Sequence, residues 1–184
     1  MSDRGGNSVG TEQAVFGAGF IAIAFLFSYG LACVTPFAAL ATIAGRSFNR
    51  TAAAAIVIVA WLLNQAVGYG LLDYPRTWDS FAWGGAIGIA SLGGLALARP
   101  PLLEKAPQPL AISAAFVGAF CAYEATLYAA TWFLPSEPVA FALPVVAEVF
   151  VMNALALAIL TLARWLAVKF GTRIGVRGAS IASA

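Results

Sequence analysis

The chain has no histidine, only two cysteines among its 184 residues, and just 10% charged residues. Cys33 and Cys121 each sit alone in an apolar segment, with no CxxC pairing. Metal ligation and thiol redox chemistry both need clustered His, Cys or carboxylate groups, so neither is expected and no cofactor is called for. The two cysteines read as small, polarizable packing residues. The sequence also has no P-loop, no HExxH, no nucleophile elbow and no dinucleotide-binding glycine pattern between a strand and a helix. Without a phosphate-binding loop the chain cannot hydrolyse ATP itself. Two distant intramembrane glutamates without histidine make a poor catalytic set, and the chain is read as not an enzyme.

What the sequence does have is apolar surface: 61% of residues are hydrophobic, and the mean hydropathy is +0.88. Residues 51–72, 81–98 and 110–134 each approach or exceed the roughly 20 residues that cross a hydrocarbon core. Lipid offers no partner for backbone N–H and C=O, and period-2 alternation is absent, so the expected fold is an all-α polytopic membrane bundle. Asp3, Arg4 and Glu12 precede a very long apolar run, unlike the basic start and short core of a signal peptide, so the N-terminus is read as retained. The expected organisation is a polar tail at 1–13, one transmembrane helical domain at 14–170, and a basic flexible tail at 171–184.

Polar breaks fall at 45–50, 73–80, 99–109, 135–138 and from 164 onward, and their charge alternates. Arg46 and Arg50 mark the first, Arg99 and Lys105 the third, and Arg164, Lys169, Arg173 and Arg177 the tail. The second and fourth hold only Arg76 against Asp73, Asp79 and Glu137. Lys and Arg collect on the cytoplasmic side, so the first, third and last breaks are expected there, in a bacterial inner (plasma) membrane with the C-terminus inside. The basic tail reads as an orientation signal in contact with anionic lipid, and no nucleic-acid partner is expected. Residues 14–44 would form a helix of roughly 46 Å, long for one span and short for two. A turn around 29–36 gives six hydrophobic segments; a long first helix kinked at Pro36 gives five. Six is the expectation carried forward.

Small residues at four-residue spacing mark faces for close helix packing, at Ala14, Ala18 and Ala22 and again at Gly84 and Gly88. The first face serves either the bundle itself or a partner subunit. Counted along their helices, Asn64, Gln65, Glu124 and Glu148 fall at similar depths in the outer half of the membrane, with no Lys or Arg at that level. An intramembrane carboxylate is costly, by about 2.5–3.5 kcal/mol on insertion scales, so it is expected to face the bundle interior or a wet cavity. Either a ligand or proton role or an interhelical hydrogen bond would justify these side chains. Aromatics gather on the same side. Trp83 and Trp132 fit an interfacial belt, whereas Trp61, Tyr69, Tyr123 and Tyr128 lie deeper and are candidates to line a small-molecule pocket. Residues 73–80 form either a cap over it or a plain connector. Asn153 and Thr161 are assigned to helix packing through hydrogen bonds.

The size, the six-segment layout, the alanine face at Ala14, Ala18 and Ala22, the outer pocket, and a last segment carrying Ala142-Leu-Pro144, Asn153 and Arg164 together resemble the membrane substrate-binding S-components of energy-coupling factor vitamin transporters. The resemblance implies that the alanine face contacts a transmembrane coupling subunit driven by ATPases. It also implies that a vitamin-like small molecule enters from the outer face, bound by Asn64, Gln65, Glu124 and Glu148 among Trp61, Tyr69, Tyr123 and Tyr128. The alternative expectation is a noncatalytic structural or assembly subunit of a larger membrane complex, for which small-residue faces suffice.

Overall fold

The computed structural model describes residues 35–103 and 105–181. Among them the regular structure is entirely helical: α1 Phe37–Ser47, α2 Arg50–Gly70, α3 Trp78–Leu97, α4 Gln108–Ala130 and α5 Leu143–Ile181, with short 3-10 turns at Pro101–Leu103 and Pro138–Phe141. Helices α2, α3 and α4, with Leu143–Leu166 of α5, are each long and apolar enough to cross a membrane, and at most a third of each span is buried inside the protein. Among the described residues none covers the remaining apolar sides. That combination identifies an integral membrane protein, with lipid as the solvent of the outward faces.

Local chemistry sets the helix ends. Pro36 (φ −79°, ψ 63°) makes an inverse γ-turn in which the Phe37 N–H donates to the Thr35 carbonyl at 2.8 Å, and α1 starts from it. Phe48 turns extended, and Asn49 then caps α2 by accepting from the Ala52 N–H at 2.9 Å. At the far end of α2 the chain reverses through Asp73, at φ 52°, a left-handed conformation that Asp tolerates. The Arg99-Pro100-Pro101 run stops further α-helix beyond α3, since proline lacks the amide and crowds the preceding turn.

The organising element is α1. Its 11 residues span about 16 Å, half a hydrocarbon core, yet every residue from Phe37 to Gly45 is buried. It packs against all four long helices. Ala38, Ala39, Ala41 and Ala44 make this possible, because alanine on several sides of one helix lets neighbouring backbones close in from several directions. Among the long helices α3 and α4 pair most extensively. A Cβ added at Gly94 would stand 3.0 Å from the Ala119 carbonyl oxygen, so glycine there lets the two helices cross closely.

A buried helix start needs partners for its first amides. Pro36 offers no side-chain acceptor, and the role passes to α5: Asn153, 1% exposed, accepts from the Ala39 N–H at 3.2 Å. Its amide nitrogen donates to the Val149 carbonyl at 3.0 Å, which holds the acceptor in place.

One expectation changes here. The fourth break extends through the 3-10 turn, so α5 begins at Leu143 and Glu148 lies only about 7.5 Å along it. No proline follows Pro144, and the α5 backbone is helical from Leu143 to Ile181. Proline and the inverse γ-turn make α1 a separate short helix from Phe37; the first part of the 14–44 run, with Ala14, Ala18, Ala22 and Cys33, lies outside the described residues.

Asn153→Ala should cost about 1–3 kcal/mol by stranding a buried amide, read as a lowered thermal midpoint in detergent. Thr161→Ala, on the same helix, should leave that midpoint nearly unchanged; equal effects of the two would remove Asn153 from its capping role.

Candidate functional site

Helices α2 and α3 run antiparallel through a short connection, so steps of four residues up one match steps of four down the other. The result is a three-rung ladder. Trp61 lies over Gly88, Gln65 over Gly84, and the Tyr69 hydroxyl meets Ser80 Oγ at 3.1 Å. The Trp61 indole N–H also donates to the Gly84 carbonyl at 2.8 Å. The glycine pair expected to admit a neighbouring backbone therefore receives two side chains instead. A Cβ at Gly88 would stand 2.9 Å from the Trp61 ring, and one at Gly84 would overlap the Gln65 amide oxygen.

This ladder forms one wall of a cavity of about 350 Å³ between α2, α3, the connection at 71–77, the start of α1 and one residue of α4. From the start of α1 and the turn before it come Phe37 and Thr35; from α2, Asn64, Gln65 and Tyr69; from the connection, Tyr74, Pro75 and Thr77; from α3, Asp79, Ser80, Trp83, Gly84 and Ile87; from α4, Tyr123. The polar groups are linked. Gln65 Nε2 donates to Asn64 Oδ1 at 3.1 Å, and Asn64 Nδ2 donates to Thr35 Oγ1 at 2.6 Å, which ties α2 to the residue just before α1. Aromatic rings surround this chain: Tyr69 packs on Phe81 at 4.8 Å and edge-on to Tyr74 at 6.1 Å, and Phe37 faces Tyr123 at 6.2 Å.

The mouth is fastened at two points. Arg76 donates to the Tyr69 carbonyl at 3.1 Å, and the Trp83 indole donates to the Pro135 carbonyl at 2.9 Å, joining α3 to the far loop. Asp79 is the one charged residue among the described lining, and no Lys or Arg contributes. Such a site suits a neutral or cationic molecule with a flat apolar body and a few hydrogen-bonding groups.

Of the residues singled out from sequence, Asn64, Gln65, Tyr69 and Tyr123 line one cavity, and Trp61 stands directly behind it. The others lie elsewhere. Glu124 is half-buried on α4 and does not line the cavity; Tyr128 is exposed, against Trp132 and Phe141 at ring separations of 6.5 and 5.5 Å. Glu148 is exposed near the start of α5 and does not line the cavity. Depth counting fails for these three because it fixes height in the membrane but not which side of a helix a residue occupies. Thr35 and Phe37 were not anticipated. Their signal was Pro36, which places a chain break inside an apolar run. The connection does form part of the cavity, through Tyr74, Pro75 and Thr77, and Trp83 lines it as well as tying the two loops together.

Comparison with family models, curated proteins and solved structures finds no match.

Gly84→Ala should displace the Gln65 amide and destabilise by about 1–3 kcal/mol through overpacking. Gly85→Ala, with open space where its Cβ would go, should be neutral or gain up to about 1 kcal/mol from helix propensity. Thermal melts of both variants in the same detergent test the ladder, and matched melting points would refute it.

Proposed function

We propose that this chain is a membrane substrate-binding component that captures a vitamin-like small molecule from the outer face and does no chemistry on it. One observation carries the reading: a hydrogen-bonded amide and hydroxyl chain, Gln65–Asn64–Thr35, opens into a cavity walled by Phe37, Tyr69, Tyr74, Trp83 and Tyr123. Apolar rings supply burial and a few placed polar groups supply orientation, as a small-molecule site requires. A volume of about 350 Å³ falls within the usual range for such sites. The binding set in this reading is Asn64, Gln65, Tyr69 and Tyr123, with Trp61 as support; Glu124, Tyr128 and Glu148 are left out by their positions.

The orientation proposed is the one the charges favour. Arg50 and Arg99 meet at one end of the bundle, while the connection with Asp73 and the loop with Glu137 lie at the end where Trp83 reaches Pro135. The basic end is then cytoplasmic, the cavity opens outward, and the C-terminus is inside a bacterial inner membrane. A six-segment layout, with the alanine face of Ala14, Ala18 and Ala22 turned to a transmembrane coupling subunit and its ATPases, completes the likeness to an S-component.

A second reading, a noncatalytic assembly subunit, has one feature in its favour. An apolar groove of about 620 Å³ runs along α5 past Ala154, Leu157, Ala158 and Leu162 to Trp165, and none of the described residues fills it.

Two measurements separate these readings. Titration of the purified protein with vitamins and related compounds should give saturable tryptophan quenching, weakened roughly 5- to 150-fold by Asn64→Leu or Gln65→Leu without loss of fold. A folded preparation that shows no saturable ligand but copurifies stoichiometrically with a larger membrane complex would establish the assembly role. For orientation, alkaline phosphatase fused after Trp78 should be active and a fusion at the C-terminus inactive; the reverse pattern would put the cavity on the wrong face.

A further inference from the structure

At the basic end of the bundle, α2 and α3 enclose a second cavity of about 390 Å³ that the substrate-binding reading does not use. Its head is cationic. Arg50, the first residue of α2, and Arg99, just past the end of α3, both line it. Arg99 is half-buried and held in place by donating through Nη2 to the Phe48 carbonyl, while its other N–H groups remain for another acceptor. Neither guanidinium has a carboxylate partner among the described residues. The described carboxylates, Asp73, Asp79, Glu124, Glu137 and Glu148, lie in the other half of the bundle or in its loops. Two guanidiniums on one cavity with no carboxylate partner among the described residues, beside the positive end of α2, call for an anion.

The rest of the cavity is apolar and leads away from the charges. From Arg99 it follows α3 back through Ala96 and Leu95 to Leu92, with Ala53 of α2 opposite. The seven-residue step from Leu92 to Arg99 gives about 10 Å of groove. Ala96 and Leu92 are exposed on the side of a spanning helix, so the groove opens to the lipid phase rather than to water. A free phosphate would satisfy the arginines and leave this groove unused, whereas a phospholipid fills both parts.

We propose that Arg50 and Arg99 hold the headgroup phosphate of one anionic phospholipid, whose acyl chain lies along Leu92, Leu95 and Ala96. The site rests on its own residues and is independent of any ligand in the aromatic cavity. Basic pockets between transmembrane helices at a membrane face are a recognised way of holding such lipids.

The test uses the full chain, exchanged in detergent with either phosphatidylglycerol or phosphatidylcholine, and native mass spectrometry of the lipid retained. One phosphatidylglycerol should persist under activation that strips phosphatidylcholine. Arg50→Gln, at an exposed position, should weaken the preference about fivefold, and Arg50→Gln with Arg99→Gln by about 25-fold. Leu92→Trp, which blocks the groove and leaves both charges, should also release the lipid; a thermal melt confirms that each variant is folded. Unchanged phosphatidylglycerol retention in the folded double variant would overturn the proposal. So would displacement of the lipid by millimolar inorganic phosphate together with indifference to Leu92→Trp, since that pair of results describes a phosphate site without a lipid.

Discussion

The arrangement depends on one hydrogen bond, from the Ala39 amide to the Asn153 side chain. A helix that starts inside a membrane protein presents unpaired N–H groups where no water can reach them, and each costs several kcal/mol in an apolar medium. Helix α1 starts in that situation, behind a proline that has no side-chain oxygen to turn back on it. Asn153 provides the missing acceptor from the last helix, and the start of α1 becomes tolerable in the interior. Everything packed on α1 depends on this, since α2, α3, α4 and α5 all close around it.

With α1 central, the two cavities become opposite ends of one construction. Thr35 and Phe37 border the aromatic cavity, Gly45 borders the basic one, and the turns between them are buried on every side. The α2–α3 ladder serves the same division. Its rungs at Trp61, Gln65 and Tyr69 fill the space beside Gly88, Gly84 and Ser80, and beyond the Trp61 rung the second cavity lies between the helices, lined by Arg50 and Arg99. Polar side chains within the bundle are few and directed at one another: Thr42, Ser91 and Thr126 return their hydroxyls to the carbonyl four residues back, at 2.7 Å each. These bonds satisfy the helices without creating sites. The Asn64–Gln65 pair differs in reaching sideways, to Thr35 and to the cavity.

The sequence was legible where lipid acts on composition. Four spans follow from length and hydropathy alone, and Arg50, Gly70, Leu97 and Ala130 lie within a few residues of the expected boundaries. Asn64, Gln65, Tyr69 and Tyr123, singled out by their depth in the membrane, were brought together at one cavity, the first three because they lie on one side of α2. The glutamates were not, because α4 and α5 are apolar nearly all round, and such helices give no sign of which side faces inward. Nor could hydropathy reveal α1: a helix buried by protein and one buried by lipid are equally apolar, and only Pro36 marks the difference.

The cap on α1 also bears on how the protein is made. Ala39 and Asn153 are 114 residues apart, which at ordinary synthesis rates of about 5–20 residues per second separates them by roughly 6–23 s. Throughout that interval the central helix has been synthesised and its acceptor does not yet exist. The three preceding spans can insert in turn, but the middle of the bundle cannot settle until α5 arrives. Assembly is therefore ordered by the last helix rather than the first, and a chain truncated before Asn153 would hold its central helix in the membrane with nothing to close it.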